Sequence, residues 1–202
     1  MVRGRFEGTR ILCLASGGGQ QGPLLAAAGA SVLIFDASAA QLARDRERAA
    51  SHSLDLETQQ GFMDDLDGLA EESFDLIFHP VSNTFAPELE LVWREAFRVL
   101  RPGGALLAGC MNPDLFLFDE TCEEKAKGPE DFAVTHRLPY VGVPEDGPIE
   151  HSHTMDAQLG GQRAAGFQLT DFFSDGQPGR LISEFLPMAF ATRAVRPRGP
   201  VA

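Results

Sequence analysis

Ile11-Leu-Cys-Leu-Ala-Ser-Gly-Gly-Gly-Gln-Gln-Gly22, with Ser31-Val-Leu-Ile-Phe-Asp36 after it, decides the fold. An apolar run ends in a glycine cluster, a helix-forming stretch follows, and a second apolar run stops at a carboxylate. Strand, glycine loop, helix, strand and acid, in that order, build the nucleoside crevice at the carboxyl ends of the strands of a doubly wound sheet. Gly17, Gly18 and Gly19 let the backbone lie against a ligand where a Cβ would collide. Asp36 is placed to accept hydrogen bonds from ribose hydroxyls. The spacing Gly17-x-Gly19-x-x-Gly22 also satisfies the dinucleotide fingerprint. A glycine-rich turn can serve packing alone, but five features in register favour nucleotide or cofactor binding. Which nucleoside is open at this point.

Outward from that segment, residues 39–50 read as a helix capped by Ser38. Residues 54–58 read as a short third strand leading to Asp64, Asp65 and Asp67, which suit a solvated turn better than a cation site. Residues 73–78 have the composition and length of a buried strand, and Pro80 forces the chain off it. Residues 87–100 predict an amphipathic helix, with Leu89, Val92, Trp93, Ala96, Val99 and Leu100 at helical spacing. Arg101-Pro-Gly-Gly104 ends that helix, and residues 105–109 are the next strand. Residues 110–150 lose periodicity and read as a lid or substrate wall. A helix is predicted over 154–166, with Gly160-Gly161 breaking or kinking it. Residues 167–173 and 188–194, with no helix between them, predict an antiparallel pair at the sheet edge. Residues 1–195 are expected to form one domain and 196–202 a flexible tail.

A chain of 202 residues with 44% hydrophobic and 23% charged residues supports one buried core. Its net charge of −12 argues against nucleic acid as a partner, since phosphate binding needs a basic surface. Cys13, Cys110 and Cys122 are odd in number and scattered, which suggests neither a disulfide frame nor a zinc site. Cys13 and Cys110 sit in apolar runs and read as small core residues. No apolar run approaches the roughly 20 residues of a membrane span. The apolar stretch after the first three arginines is too short for a signal peptide. A cytoplasmic location without membrane partners is therefore expected.

The segment Cys13-Leu-Ala-Ser-Gly-Gly-Gly19 resembles the first-strand motif of the class I S-adenosylmethionine-dependent methyltransferases. Gly17 and Gly19 match it, Ala15 stands at the first glycine, and Cys13 stands at the acid. More specific is Ser73-Phe-Asp-Leu-Ile-Phe78 followed by Trp93-Arg-Glu-Ala-Phe-Arg-Val-Leu-Arg-Pro-Gly-Gly-Ala-Leu-Leu107, which is similar to that family's fourth strand, next helix and L-(K/R)-P-G-G turn. Nicotinamide dehydrogenases do not share this pairing at this distance from the glycine loop. The resemblance covers nearly the whole chain. It implies an α/β, Rossmann-like, doubly wound and mostly parallel seven-stranded sheet with an antiparallel edge strand. It also implies S-adenosylmethionine as cofactor, bordered by Ala15, Ser16, Gly17, Gly19, Asp36, Ala37, Gln41, Phe62, Met63, Asp64 and His79. In that assignment the loop passes under the methionine part and Asp36 holds the ribose. Gln41 reaches the adenosine, Phe62 lines the adenine, and Asp64 replaces the usual acceptor. Family chains also carry helices ahead of strand one, whereas here only Met1–Arg10 precede it. The resemblance then implies a more open site, completion by a second copy in a homodimer, or impaired activity.

Methyl transfer from a sulfonium is an in-line displacement, so the protein must mainly hold donor and acceptor close and aligned. No catalytic residue is obligatory, and a base is needed only for a protonated acceptor. His79, at the exit of strand four, is the best-placed base, against packing beside Pro80. His151 and His153 lack a third ligand for a metal and read chiefly as polar loop residues. Ser82, Asn83 and His151 are candidate contacts to the methyl acceptor, with loop capping the alternative for Ser82 and Asn83. Phe116, Phe118 and Phe132 could wall a substrate, though phenylalanines more often pack a core. The reading is a methyltransferase acting on a small molecule. A cofactor-binding protein without turnover is the runner-up, and a nicotinamide-dependent oxidoreductase comes third.

Overall fold

The computed structural model of the chain describes residues 6–118, 126–143 and 147–199. Its principal strands are β1 (Arg10–Leu14), β2 (Ser31–Asp36), β3 (Leu56–Gln60), β4 (Phe74–His79) and β5 (Leu100–Met111). A short hairpin, β6 (Val141–Gly142) with β7 (Glu150–His151), and the pair β8 (Gln168–Asp175) and β9 (Ala189–Val195) follow. The helices are α1 (Gln21–Ala27), α2 (Ala39–His52), α3 (Leu89–Val99) and the single turn α4 (Gly161–Ala164). Seven strands make one sheet in the order β3-β2-β1-β4-β5-β9-β8. The pairs from β3 to β5 are parallel, and β9 runs against both β5 and β8. This is the expected doubly wound sheet, with its antiparallel strand in the edge pair.

Both faces of the sheet are covered, which is why the central strands read as unbroken apolar runs. Alternate side chains of β1 divide between two cores. Leu12 and Leu14 join Ile77, Leu106 and the α3 residues Val92, Trp93, Ala96 and Val99. Ile11 and Cys13 join Val32, Ile34, Ala26 and Leu42 under α1 and α2. Gly22 lets α1 come down on the sheet, since a Cβ there would lie 2.3 Å from Ile34 Cδ1.

Strand β3 begins two residues later than expected because α2 runs on to His52. Ser53 turns left-handed at φ 49° to end the helix, and Leu54 N–H bonds back to Ala49 O. Strand β5 begins earlier, with the Arg101–Gly104 turn absorbed as a bulge between the pairs Phe74–Leu100 and Leu76–Ala105. Gly160-Gly161 does not break its helix. A π-helical turn, Asp156–Gly160, passes directly into α4, and Gly161 is where Trp93 packs: a Cβ there would sit 2.7 Å from Trp93 Cδ1. The Ala157 carbonyl in the π turn accepts the Trp93 indole N–H at 3.0 Å. Arg196, the first residue of the expected tail, is held by the fold. Its guanidinium donates to the carbonyls of Phe97, Arg98 and Leu100 and pairs with Glu72 at 2.6 Å. Among the described residues, no helix is long and apolar enough to cross a membrane.

Candidate functional site

The loop between β1 and α1 leaves the sheet at Ala15, whose φ of 49° is left-handed. The position that carries glycine in the resembling family thus keeps a glycine conformation here with a Cβ on it, at a cost of about 1 kcal/mol. Gly18 and Gly19 follow at φ 127° and 78°. These turns aim three successive amides at two carboxylates. Gly17 N–H donates to Asp36 Oδ2 at 2.8 Å, Gly18 N–H to Asp45 Oδ2 at 2.9 Å and Gly19 N–H to Asp45 Oδ1 at 2.8 Å. The other Asp36 oxygen accepts Ser38 N–H at 2.8 Å. A carboxylate has about four lone-pair positions, so Asp36 keeps capacity for ribose hydroxyls. Gly17 must be glycine here, because a Cβ would lie 2.7 Å from Gln41 Cβ and 2.9 Å from Asp36 Oδ2.

The three loop amides are thus spent on carboxylates, while Gln20 and Gln21, at the start of α1, line the cleft beyond them. In front of the loop lies a cleft of about 320 Å³ lined by Ala15, Ser16, Gly17, Gln41, Arg44 and Ser82, among others. It therefore brings together four of the expected cofactor residues with one from the substrate set. Asp36 stands directly behind Gly17, and Ala37 O accepts the Gln60 side-chain amide at 3.0 Å. Phe62 lies in the turn after β3 and is 71% exposed, an unusual state for a free phenylalanine. Met63, beside it, packs against the larger core, and Asp64 is half-buried.

At the exit of β4 the chain places backbone, not the His79 ring, toward the cleft. The ring is fully buried, edge-on to Trp93 with centroids 5.9 Å apart. Its Nδ1 lies 3.0 Å from Leu14 O. A carbonyl only accepts, so Nδ1 carries the proton and Nε2 is an enclosed lone pair with no partner. Burial pulls the His79 pKa from 6.5 down to about 4, with the Leu14 bond opposing weakly, so the ring is neutral. Ser82 is buried, and its hydroxyl donates to Pro80 O at 3.2 Å. Asn83 is buried and donates from Nδ2 to Gln158 Oε1 at 3.1 Å. Gln158, in the π turn, spends its own amide hydrogens on the carbonyls of His153 (2.7 Å) and Met111 (3.2 Å). Two fixed carbonyls thus orient Gln158, which orients Asn83 and leaves Asn83 Oδ1 as a buried acceptor without a partner. His153 Nε2–H donates to Ala86 O at 2.8 Å, and burial lowers its pKa. His151 is half-buried and stacks on His153 at 5.9 Å.

Phe118 meets Phe132 edge-on at 5.7 Å, and Phe116 packs on Tyr140, all of them half-buried in the 110–150 region. Cys13 and Cys110 are buried free thiols whose pKa burial pushes up to about 12, so neither is a nucleophile. Sequence reasoning missed Asp45, Arg44 and Gln158. Asp45 sits in Arg44-Asp-Arg-Glu-Arg48, which looks like a solvated charge run. Its one signal is spacing, since Leu42, Asp45 and Ala49 share the buried stripe of α2.

Residues 12–108 match the family model described as a methyltransferase domain. The chain is 42% identical over 204 aligned residues to the uncharacterized methyltransferase YbaJ of Bacillus subtilis, spanning 95% of this chain and 78% of that one. It is 33% identical to an arsenite methyltransferase of Aquipseudomonas alcaligenes over 59% of this chain and 38% of that protein. A crystal structure of an S-adenosylmethionine-dependent methyltransferase from Mesorhizobium loti shares the fold, with a TM-score of 0.77, 22% identity and 95% and 92% of the two chains covered. The cofactor implied is S-adenosylmethionine, and the loop fits it: its three amides are held by carboxylates and Asp36 keeps lone pairs for a ribose. The chain belongs to the class I S-adenosylmethionine-dependent methyltransferases.

Proposed function

We propose that this methyltransferase acts on a small molecule. One observation carries the reading: the chain walls its own acceptor side. The 3-10 turn Asn83–Phe85 follows the β4 exit, and β7 with the residues that follow it packs against that turn. Ser152 joins Tyr140 by two hydrogen bonds, His153 joins Ala86, and Gln158 joins Asn83. A cleft of about 320 Å³ with such a wall beside it suits a compact acceptor better than a polymer, and the charge of −12 opposes nucleic acid.

The bound cofactor supplies a methyl group on a sulfonium, an electrophile the protein does not have to make. The chain's part is binding, alignment and exclusion of water. Asp36 takes the ribose, Ala15 to Gly19 border the methionine part, Gln41 reaches the adenosine, and Phe62, Met63 and Asp64 close on the adenine. Arg44, which lines the cleft and reaches Gln41 Oε1 at 3.2 Å, is suited to the methionine carboxylate. Ser82 and Asn83 orient the acceptor, with His151 beside them. His79 lacks access to the cleft, so proton removal does not fall to its ring.

Calorimetry with S-adenosylhomocysteine and NADH tests the cofactor, and tritiated methyl transfer tests the acceptor. The homocysteine nucleoside should bind and NADH should not, with Asp36→Ala abolishing the binding. Label should enter a small-molecule extract rather than nucleic acid or protein. Label confined to macromolecules would overturn the small-molecule reading.

A further inference from the structure

We propose that Asp45 is the specificity-determining residue of the glycine loop: it fixes the loop from behind and bars phosphate-bearing nucleotides from the cleft. This rests on the cofactor assignment above. Asp45 is wholly buried in the second turn of α2, and each of its oxygens accepts one loop amide, Gly19 at 2.8 Å and Gly18 at 2.9 Å. Asp36 takes the third at 2.8 Å, so two carboxylates from neighbouring elements hold three consecutive N–H groups. A buried carboxylate that makes no ion pair among the described residues is tolerated only where such charge-assisted bonds replace its water. The positive φ at Gly18 and Gly19 is what turns both amides to the same side.

The α2 helix presses the loop closely. A Cβ on Gly18 would lie 3.2 Å from Gln41 Oε1, and one on Gly19 would lie 3.5 Å from Arg44 O. Gln41 and Arg44 face the cleft, while Asp45 lies on the buried stripe behind it. Two consequences follow for ligand choice. The loop is set before any ligand arrives, so binding does not have to order it. An incoming phosphate finds no free amide among these three, and at the start of α1, where a positive pole remains, it meets the nearby charges of Asp36 and Asp45. The ligand class selected is an adenine nucleoside bearing no phosphate.

The test compares S-adenosylhomocysteine with ADP, by calorimetry, on the wild type and on Asp45→Asn. Asparagine keeps the shape and one acceptor, turns its amide hydrogens against the second loop N–H, and removes one charge. The expected result is a 10- to 100-fold loss of S-adenosylhomocysteine affinity with ADP affinity unchanged or raised, so that the ratio of the two falls at least tenfold. A purely structural role would weaken both ligands alike, and an unchanged ratio overturns the proposal. If wild type fails to bind S-adenosylhomocysteine, the cofactor reading itself has failed, and that is a different outcome. Hydrogen exchange on the ligand-free wild type needs no variant. The Gly18 and Gly19 amides should be protected to the level of the β1 amides, and exchange at open-loop rates would equally refute the assignment.

Discussion

His79 gives this fold a pH-dependence whose size follows from its burial. Its pKa falls from 6.5 to about 4 on folding, because no water reaches the ring and Nε2 has no partner to share a proton with. Between those values the unfolded chain takes up a proton that the native chain refuses. The stability contributed is therefore fully present above pH 6.5 and is lost as pH falls toward 4. At ~1.36 kcal/mol for each pH unit the total is about 3 kcal/mol, a large share of the roughly 5–15 kcal/mol that holds a domain together. Asparagine at this position can offer an N–H to Leu14 O but has nothing to titrate. His79→Asn should be less stable by about 2 kcal/mol at pH 7, from the cavity it leaves, and more stable than the wild type by about 1 kcal/mol at pH 4, where the wild type has lost about 3 kcal/mol. Urea unfolding at several pH values, followed by the fluorescence of the single tryptophan, gives both curves. His153 and the carboxylates contribute to both proteins, so the difference isolates His79. Parallel curves would mean that the ring charges freely in the folded protein, and the burial argument would be wrong.

Three further substitutions bear on other parts of the structure. Ala15→Gly removes a Cβ from a left-handed position, and after the extra chain entropy of glycine should stabilise by up to about 1 kcal/mol; a loss of stability in thermal melts would contradict the strain. Gly161→Ala gains helix propensity but drives a Cβ to 2.7 Å from Trp93 Cδ1, so it should cost about 1–2 kcal/mol and shift the tryptophan emission. Arg196→Ala should cost about 2 kcal/mol in chemical unfolding, and lysine should restore little, because one ammonium cannot span three carbonyls and Glu72; full rescue by lysine would show that only charge matters.

What could be read from the sequence was whatever depends on near neighbours. The glycine loop after β1, the acid that ends β2, the Ser38 cap at the start of α2 and the buried stripe of α3 each occupy a few consecutive turns, and each has the place in the fold that the pattern gives it. The shifted start of β3 depends on how α2 ends, which Ser53 settles by a left-handed turn that few serines adopt. The Asn83–Gln158 bond joins residues 75 positions apart, and Trp93 reaches Ala157 across 64. Neither pairing leaves a local pattern. His79 illustrates the same limit: its place at a strand exit suggests a base facing the cleft, with packing beside Pro80 the alternative, and the side of β4 it occupies belongs to Trp93, so the ring packs.

The ambiguity of the glycine fingerprint has a physical origin. The spacing Gly17-x-Gly19-x-x-Gly22 records only where backbone must come close: to Gln41 and Asp36 at Gly17, and to Ile34 at Gly22. It does not record where the loop's N–H groups go, and that is what separates a phosphate site from a phosphate-free one. In this chain the destination is written further along, in α2. A carboxylate on the apolar stripe of an amphipathic helix has to find donors or remain unfolded, and Asp45 finds them in the loop. An acid that looks wrong for its helix face therefore carries the information that the glycines lack.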